Sequence, residues 1–145
     1  MVFVFATSVN AAPAPPLFQP DSATASSENG PLFDIGNVID GSGLPPNFLP
    51  SDAHADYDND NHWTTAGNDT VGVTATFQFD SDVTIGQFFL WNHRSNNIAA
   101  NDLYEVSQFD LILKDAGNST LLELNDLLAV GETATAQVYN FTPIP

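Results

Sequence analysis

Alternation of apolar and polar residues predicts several β-strands in the second half of the chain. The clearest run is Val71 to Phe79, in which every second residue is apolar, as expected of a half-buried strand. Val83 to Trp91 becomes apolar on both faces towards its end, which is typical of a central strand of a sandwich. Phe109 to Lys114 alternates again and is followed by a turn at Asp115 to Asn118.

The remaining segments are shorter or ambiguous. Ser22 to Ser27 suits an edge strand, and Phe33 to Ile39 has the spacing of a single helical turn that ends at Asp40-Gly41. Thr120 to Val130 fits a strand and a helix equally well, because its leucines have helical spacing while turns flank it. Thr133 to Phe141 is again rich in β-forming residues. Short strands separated by turns predict an all-β sandwich.

Two long polar segments, Pro45 to Asn61 and Asn92 to Asp102, interrupt this pattern. Loops of that length in a compact domain are usually functional or held by the rest of the fold. The first contains alternating acidic residues, Asp52, Asp56, Asp58 and Asp60. These resemble an EF-hand calcium loop superficially, but the glycine at the sixth position and the glutamate at the twelfth are absent. A solvated acidic loop is the favoured interpretation.

The charge of the chain narrows its possible partners. Its 145 residues include 18 acidic side chains and only two basic ones, Arg94 and Lys114, for a formal net charge of -16. Nucleic acid and anionic membrane surfaces are therefore poor partners, since both are bound through Lys and Arg. The acidity fits a solvated surface in a saline exterior and is also compatible with Ca²⁺ binding. The chain has no cysteine, so disulfides and thiolate sites are excluded.

The N-terminal segment predicts secretion. The apolar run Val2 to Ala6 precedes small residues around Ala11, as at the end of a signal peptide, although a basic start is missing. An N-terminal arm or first strand retained in the mature protein is the alternative. Ala12 to Pro20 is rich in proline and predicts an extended linker. We therefore expect a signal-like segment and linker over residues 1–20 and one domain over residues 21–145, without membrane insertion.

Several motifs of the chain form one recognisable set. They are Ala25-Ser26-Ser27-Glu28, the run Asn-Val-Ile-Asp-Gly-Ser-Gly-Leu from Asn37 to Leu44, His54, Trp63, the strand Val73 to Phe79, and Phe89-Leu90-Trp91-Asn92. Together they resemble the coagulation-factor type-C or discoidin domain. The resemblance covers Asp21 to about Phe141 and implies a galactose-binding-like jelly-roll β-sandwich, a fold shared with many carbohydrate-binding modules of secreted bacterial enzymes. The family normally continues into a strand with an Arg-Tyr-Val-Arg-like run and a late acidic residue, which this sequence does not contain. The paired cysteines of the animal members are also absent.

The resemblance also implies a structural Ca²⁺ site at the Ile-Asp-Gly turn. Carried over to this sequence, Asp40 is the side-chain ligand, and Asn37, Ser42 and Gly43 contribute carbonyl oxygens. The alternative is that Asp40 only caps the turn through the neighbouring backbone. A zinc site at the histidines is disfavoured, because the spacing of His54, His62 and His93 matches no common motif. Hydrogen bonding within the loops is the expected role of these histidines.

A sugar site needs an aromatic face and planar polar groups that bond to neighbouring hydroxyls. The segment Asn92 to Asn97 supplies the polar groups, and Tyr57, Tyr104 or Trp63 could supply the aromatic face. Trp63 and Trp91 are better interpreted as core residues, since both lie where strands begin or end. The predicted ligand-binding residues are His54, Tyr57, Asn92, His93, Arg94, Asn96 and Asn97. This prediction requires the Asn92 to Asn97 segment to lie exposed at the rim of the sandwich.

No nucleophile elbow, phosphate loop or metalloprotease motif occurs, so an enzyme is not expected. The leading hypothesis is a secreted, non-catalytic module that binds carbohydrate or a glycosylated surface and acts in adhesion. The alternative is an extracellular structural subunit that self-associates through its N-terminal arm or by strand addition.

Overall fold

A computed structural model describes residues 17–67, 69, 71–94 and 105–145 of the chain. Over these residues the regular structure consists of six strands and two short 3₁₀ turns. The strands are β1 (Ser22–Ala25), β2 (Ala75–Gln78), β3 (Ile85–Leu90), β4 (Gln108–Lys114), β5 (Thr120–Leu128) and β6 (Gln137–Ile144), and the turns are Pro31–Phe33 and Ile35–Val38. The strands pair antiparallel as β1 with β2, β3 with β6, and β4 with β5. The fold is thus built from β-strands, as predicted, and the finer jelly-roll assignment stays a prediction.

The ambiguous segment from Thr120 to Val130 is a strand. Its leucines lie opposite apolar residues of β4 in cross-strand pairs, among them Leu111 with Leu124 and Phe109 with Leu127. One residue of β4 lies between these two pairs but two residues of β5 do, which makes a β-bulge at Asp126, where φ is 58°. Because the bulge adds a residue, Leu124 and Leu127 share a face although they are three positions apart. The bulge explains why the spacing resembled that of a helix.

The strand predicted from Val71 to Phe79 is shorter than expected. β2 begins only at Ala75, and Val71 is 87% exposed. Gly72 has φ of 71°, a left-handed conformation outside the β region, so the backbone cannot continue as a strand through this position. The alternation of apolar and polar residues from Val71 to Phe79 is therefore longer than the segment Ala75–Gln78 that pairs with β1.

The predicted helical turn between Phe33 and Ile39 is confirmed as the 3₁₀ turn Ile35–Val38. Asp34 caps it, since its Oδ1 accepts a hydrogen bond from the Gly36 N–H at 2.7 Å. The Ile35 N–H donates to the Glu28 carboxylate at 3.1 Å, which links the turn to the segment after β1. Ile35 and Val38 are consequently buried on one side of the turn.

Strand β3 contributes to both hydrophobic clusters of the core. Phe89, together with Trp91 just after the strand, packs with the buried residues of the 3₁₀ turn. Phe88 and Leu90 point to the opposite face, where Phe109 and Leu111 of β4 cover them. The prediction of a strand that is apolar on both faces is confirmed here, because a strand buried from two sides needs apolar side chains at consecutive positions.

Two residues that precede the predicted domain boundary at residue 21 pack against the fold. Leu17 packs against the cluster around Phe89, and Pro20 is buried. These two residues therefore belong to the packed domain rather than to a free linker. The signal-like segment lies outside the described residues. In the part of the chain that the structure describes, no helix is both long and apolar enough to span a bilayer.

Replacement of Phe89 by alanine tests the central role of β3. Phe89 is 3% exposed, so we expect Phe89→Ala to lower the free energy of unfolding by roughly 3–5 kcal/mol, from lost burial and the resulting cavity. Urea denaturation followed by tryptophan fluorescence measures this. Val71→Ala is the control, and its change should stay within about 0.5 kcal/mol because Val71 is exposed. Equal effects of the two substitutions would contradict the assigned core.

Candidate functional site

The three histidines of the chain are all buried, although they lie far apart in the sequence. His54, His62 and His93, here termed the histidine cluster, are 1%, 0% and 2% exposed. The His62 and His93 rings have centroids 6.1 Å apart. Tyr57 lies over both, with its ring centroid 4.4 Å from that of His62 and 5.6 Å from that of His93. The long loop after Asp40 and the end of β3 therefore meet at this cluster.

His62 is held from two sides. Its ring lies 5.0 Å from that of Phe33, and its Nδ1 is 2.8 Å from the Asp58 carbonyl oxygen. In the neutral ring, Nδ1 must then hold the proton and donate it to this carbonyl. Nε2 of His62 is left as a buried lone pair that accepts no hydrogen bond from any described residue.

His54 connects two distant loops. Its backbone N–H donates to the Ala134 carbonyl at 2.9 Å. Its ring nitrogens lie 2.6 Å from the Ala55 carbonyl oxygen and 3.1 Å from that of Thr133. A neutral imidazole donates from only one nitrogen, so one of these two contacts is a full hydrogen bond in that form. The expectation that the histidines form hydrogen bonds within the loops is confirmed for His54 and His62.

Burial keeps the histidine cluster neutral at pH 7. It lowers the pKa of His54, and it lowers the pKa of His62 and of His93 from 6.5 to about 4. The positive charges that the other two histidines would gain on protonation lower the pKa of His93 further. The Asp58 carbonyl and carboxylate oppose the effect at His62 without overcoming it. Tyr57 therefore rests on uncharged rings.

Asn92 and His93 lie in the interior, so the expectation that this part of the segment is exposed at the rim is wrong. Asn92 is fully buried, and its amide Nδ2 donates to the carbonyls of Val106 at 2.6 Å and Val130 at 3.2 Å. Its Oδ1 accepts from the Val106 N–H at 3.0 Å and the His93 N–H at 2.9 Å. These bonds give hydrogen-bond partners to backbone groups of His93, Val106 and Val130, which lie outside the strands. The Asn92 side chain thus links the segments that contain Val106 and Val130 to the end of β3.

The exposed part of the site is a patch formed by Asp56, Tyr57 and Arg94, here termed the Tyr57 patch. Arg94 Nε lies 3.2 Å from Asp56 Oδ1, and the two side chains are 36% and 28% exposed. Tyr57 is 47% exposed, and its backbone N–H donates to the Arg94 carbonyl at 2.8 Å. Arg94 also donates from Nη1 to the His54 carbonyl at 3.3 Å. An aromatic ring, a cation and a carboxylate therefore share one surface above the histidine cluster.

The other residues considered for the sugar site, together with Trp91, divide into two groups. Asn96, Asn97 and Tyr104 lie outside the described residues. Trp63 packs against the cluster around Phe89 and donates from Nε1 to the Ser27 carbonyl at 3.0 Å. Trp91 is fully buried. The interpretation of both tryptophans as core residues is confirmed, which leaves Tyr57 as the described candidate for an aromatic binding surface.

The predicted calcium residues form a hydrogen-bonded turn. Asp40 accepts at Oδ1 from the Ser42 N–H at 2.7 Å and at Oδ2 from the Ser42 hydroxyl at 2.9 Å. The Asn37 side-chain amide donates from Nδ2 to the carbonyls of Leu32 and His62. This geometry supports the alternative in which Asp40 caps its own turn. Calcium binding stays a prediction.

The acidic residues of the loop from Pro45 to Asn61 each bond to a different partner rather than converging on one point. Asp52 accepts from the Leu49 N–H at 2.8 Å, Asp58 accepts from the Asn59 N–H at 2.8 Å, and Asp56 pairs with Arg94. Over residues 17–67, 69, 71–94 and 105–145, no three His, Asp or Glu side chains are placed to hold a metal ion. The carboxylates stabilise turns of the loop, as Asp side chains commonly do.

Comparison with known proteins returned no match. No family model matches the chain, and no curated protein and no solved structure is significantly similar to it. The resemblance to the discoidin domain therefore rests on the motifs in the sequence, and the function has to be inferred from the site itself.

Sequence reasoning considered the three histidines together only as a zinc site, which their spacing disfavoured, and it did not predict that they are all buried or that the rings of His62 and His93 pack together. No local signal could have shown this, because 39 positions separate His54 from His93. Asn92 did offer a signal. It directly follows a strand that is apolar on both faces, and a polar residue in such a position must find buried hydrogen-bond partners.

The neutral histidines predict an acid-sensitive fold. Since the pKa of His62 and of His93 is lower in the folded chain than the ordinary 6.5, the unfolded chain binds protons first as the pH falls. Stability should be full above about pH 6.5 and decline towards pH 4, by up to about 1.4 kcal/mol per pH unit for each histidine. Urea denaturation at pH 7.0, 6.0 and 5.5, where carboxylates remain ionised, measures this.

His62→Phe removes one titrating ring while it keeps an aromatic side chain in the site. We expect this variant to have a shallower pH dependence than the parent over the same range. An identical dependence in both proteins would show that His62 is protonated in the folded state or exposed to solvent.

Proposed function

We propose that this protein is an extracellular, non-catalytic module that binds carbohydrate through the Tyr57 patch. The observation that supports it is the half-exposed Tyr57 ring beside the ion pair of Arg94 with Asp56. An aromatic face can stack against the C–H groups of a sugar. A guanidinium donates to neighbouring hydroxyls in a fork geometry, and a carboxylate accepts from them.

The histidine cluster supports this proposal by holding the patch in place. Tyr57 packs on His62 and is stacked with Phe33 at a centroid distance of 6.4 Å. Arg94 is anchored by the His54 carbonyl and by Asp56. Side chains that are ordered before binding lose less conformational entropy when the ligand arrives, so affinity is higher for the same contacts.

The net negative charge of the chain favours neutral sugars over anionic ones as ligands. With a net charge of -16, the protein repels anionic polysaccharides at low ionic strength. Arg94 is moreover already neutralised in part by Asp56. We therefore propose neutral sugars, or the neutral glycans of a glycosylated surface, as ligands.

Binding to immobilised neutral glycans tests this function. We expect Arg94→Ala and Tyr57→Ala each to weaken binding by at least about tenfold, the effect of losing a charged hydrogen bond or a stacked ring. Lys114→Ala is the matched control, since it removes the other basic residue of the chain at an exposed position. The melting temperature of each variant distinguishes lost contacts from lost folding.

Two outcomes would contradict the proposal. One is the absence of binding to any neutral glycan by the folded parent protein. The other is binding that Lys114→Ala and Arg94→Ala weaken equally, because this would indicate a general charge effect rather than a site.

A structural subunit is the second candidate, and exposed apolar side chains favour it. On and beside the β4–β5 hairpin, Ile112, Leu121, Leu128 and Val130 are 47%, 41%, 74% and 62% exposed. β4 and β5 pair only with each other among the described strands, so one edge of each has no described strand beside it. Open edges beside apolar side chains favour strand addition between copies.

Sedimentation velocity over a range of protein concentrations tests this candidate. If the hairpin assembles, the parent protein should form oligomers, and Leu128→Asp should shift it to monomer by placing a charge in the contact. Val71→Asp is the control, since Val71 is equally apolar and 87% exposed but lies next to β2. A parent protein that remains monomeric at the highest concentration would remove this candidate.

A further inference from the structure

The side chain of Asn61 bonds to the backbone on both sides of Tyr57. Its Nδ2 donates to the Asp56 carbonyl at 3.0 Å, and its Oδ1 accepts from the Asp58 N–H at 2.9 Å. The Asp56 carbonyl belongs to the peptide group before Tyr57, and the Asp58 N–H belongs to the peptide group after it. One carboxamide therefore holds the two peptide groups that flank the Tyr57 Cα atom.

Holding these two peptide groups sets the direction of the Tyr57 side chain. A peptide group is planar, so the backbone of one residue has only two soft angles, φ and ψ. Hydrogen bonds to both flanking groups restrain both angles, and with them the direction of the Cα–Cβ bond. The Tyr57 N–H, which in a trans peptide points away from the Asp56 carbonyl, donates to the Arg94 carbonyl at 2.8 Å. The first peptide group is thus held between Asn61 and Arg94.

The partners of the Asn61 carboxamide determine its orientation. Its oxygen faces two donors, the Asp58 N–H and His62 Nδ1 at 3.1 Å, while its nitrogen faces a carbonyl oxygen. The reverse orientation would place the NH₂ group against donors and an oxygen against an oxygen. Because His62 Nδ1 also contacts the Asp58 carbonyl, the Asn61 side chain links the loop to the histidine cluster.

The neighbouring backbone brings Asn61 into this place. Asp60 has φ of 63°, a left-handed conformation that Asp adopts more readily than most residues. The Asp60 N–H donates to the Leu32 carbonyl at 3.0 Å. Gly43 lies against the same side chain, since a Cβ there would be 3.6 Å from both Cβ and Nδ2 of Asn61. Asn61 is accordingly half-buried and lies below the exposed ring rather than beside it.

We propose that Asn61 is a positioning residue of the Tyr57 patch, whose carboxamide holds the Tyr57 ring and Asp56 in the arrangement that receives the ligand. This inference rests on the proposed binding function and deepens it. Asn61 acts through the patch, because its own oxygen and nitrogen are bonded to the protein. A ring that is held in place before binding loses less conformational entropy when the ligand arrives.

Nuclear Overhauser cross-peaks between the rings of Tyr57 and His62 test the positioning without any ligand. The two ring centroids are 4.4 Å apart, so the parent protein should give strong cross-peaks. We expect Asn61→Ala to lose most of their intensity, because the peptide groups around Tyr57 lose their partners. Asn59→Ala is the matched control and should keep it, since Asn59 is an exposed residue that joins the same loop through its backbone N–H.

The isosteric variant Asn61→Asp covers the case in which Asn61→Ala does not fold. A carboxylate keeps the shape of the side chain and still accepts from the Asp58 N–H, but it places an oxygen against the Asp56 carbonyl. We expect part of the cross-peak intensity to be lost in this variant at pH 7. The melting temperature of each variant reports whether the chain is folded.

Affinity for a neutral sugar tests whether the position of the ring matters for binding. The probe is the oligosaccharide that the parent protein binds most tightly on an array of immobilised neutral glycans. We expect Asn61→Ala to weaken binding by about fivefold to tenfold, as for the loss of about one net hydrogen bond. In a Tyr57→Ala background the same substitution should weaken it by less than about twofold, because the ring that Asn61 positions is absent.

Three results would overturn the proposal. In the first, the Tyr57–His62 cross-peaks are unchanged in folded Asn61→Ala and Asn61→Asp. In the second, Asn59→Ala loses them to the same extent, so that any change in the loop has this effect. In the third, Asn61→Ala weakens binding equally with and without the Tyr57 ring, which would indicate a contribution to the fold alone.

Failure of the proposed function gives a different result. The folded parent protein would then bind no neutral glycan, and the binding role of Asn61 would be contradicted with it. The cross-peak comparison would still decide whether Asn61 sets the position of the Tyr57 ring.

Discussion

Burial of β3 on both faces is the constraint on which the rest of the structure depends. Phe88 and Leu90 pack under the β4–β5 hairpin, while Phe89 and Trp91 pack against the 3₁₀ turn after β1. The chain leaves this strand still inside the protein, so the next residues, Asn92 and His93, are buried as well. Polar groups in such a place must be hydrogen-bonded, and the bonds of Asn92 to Val106 and Val130 consequently hold later segments against the end of the strand.

The histidine cluster follows from the same burial. Three rings that could each gain a charge lie together out of water, and the cost of charging them there lowers their pKa. Neutral rings pack like other aromatic side chains, so Tyr57 and the Arg94 ion pair are supported from below without repulsion. The exposed Tyr57 patch is thus held by a buried layer that loses stability as its histidines become protonated.

Much of the fold was predictable because it depends on local patterns. Strands β3, β4 and β6, the 3₁₀ turn at Ile35–Val38 and the core positions of both tryptophans all followed from periodicity and composition. The errors have local causes too. The left-handed backbone at Gly72 prevents the strand from including Val71, although the alternating pattern reaches that residue. The bulge at Asp126 gives the leucines of β5 a helix-like spacing. Of the candidate site, sequence reasoning selected Tyr57 and Arg94 but placed Asn92 and His93 on the wrong side of the surface.

The sequence by itself determined that the chain is strongly acidic, free of cysteine, built from short strands, and interrupted by two polar segments. Only the tertiary structure decided which polar residues are buried and which are exposed. It also brought together His54, His62 and His93. The physical reason is that periodicity reports the environment of neighbouring residues, whereas contacts between distant loops depend on how the strands pack.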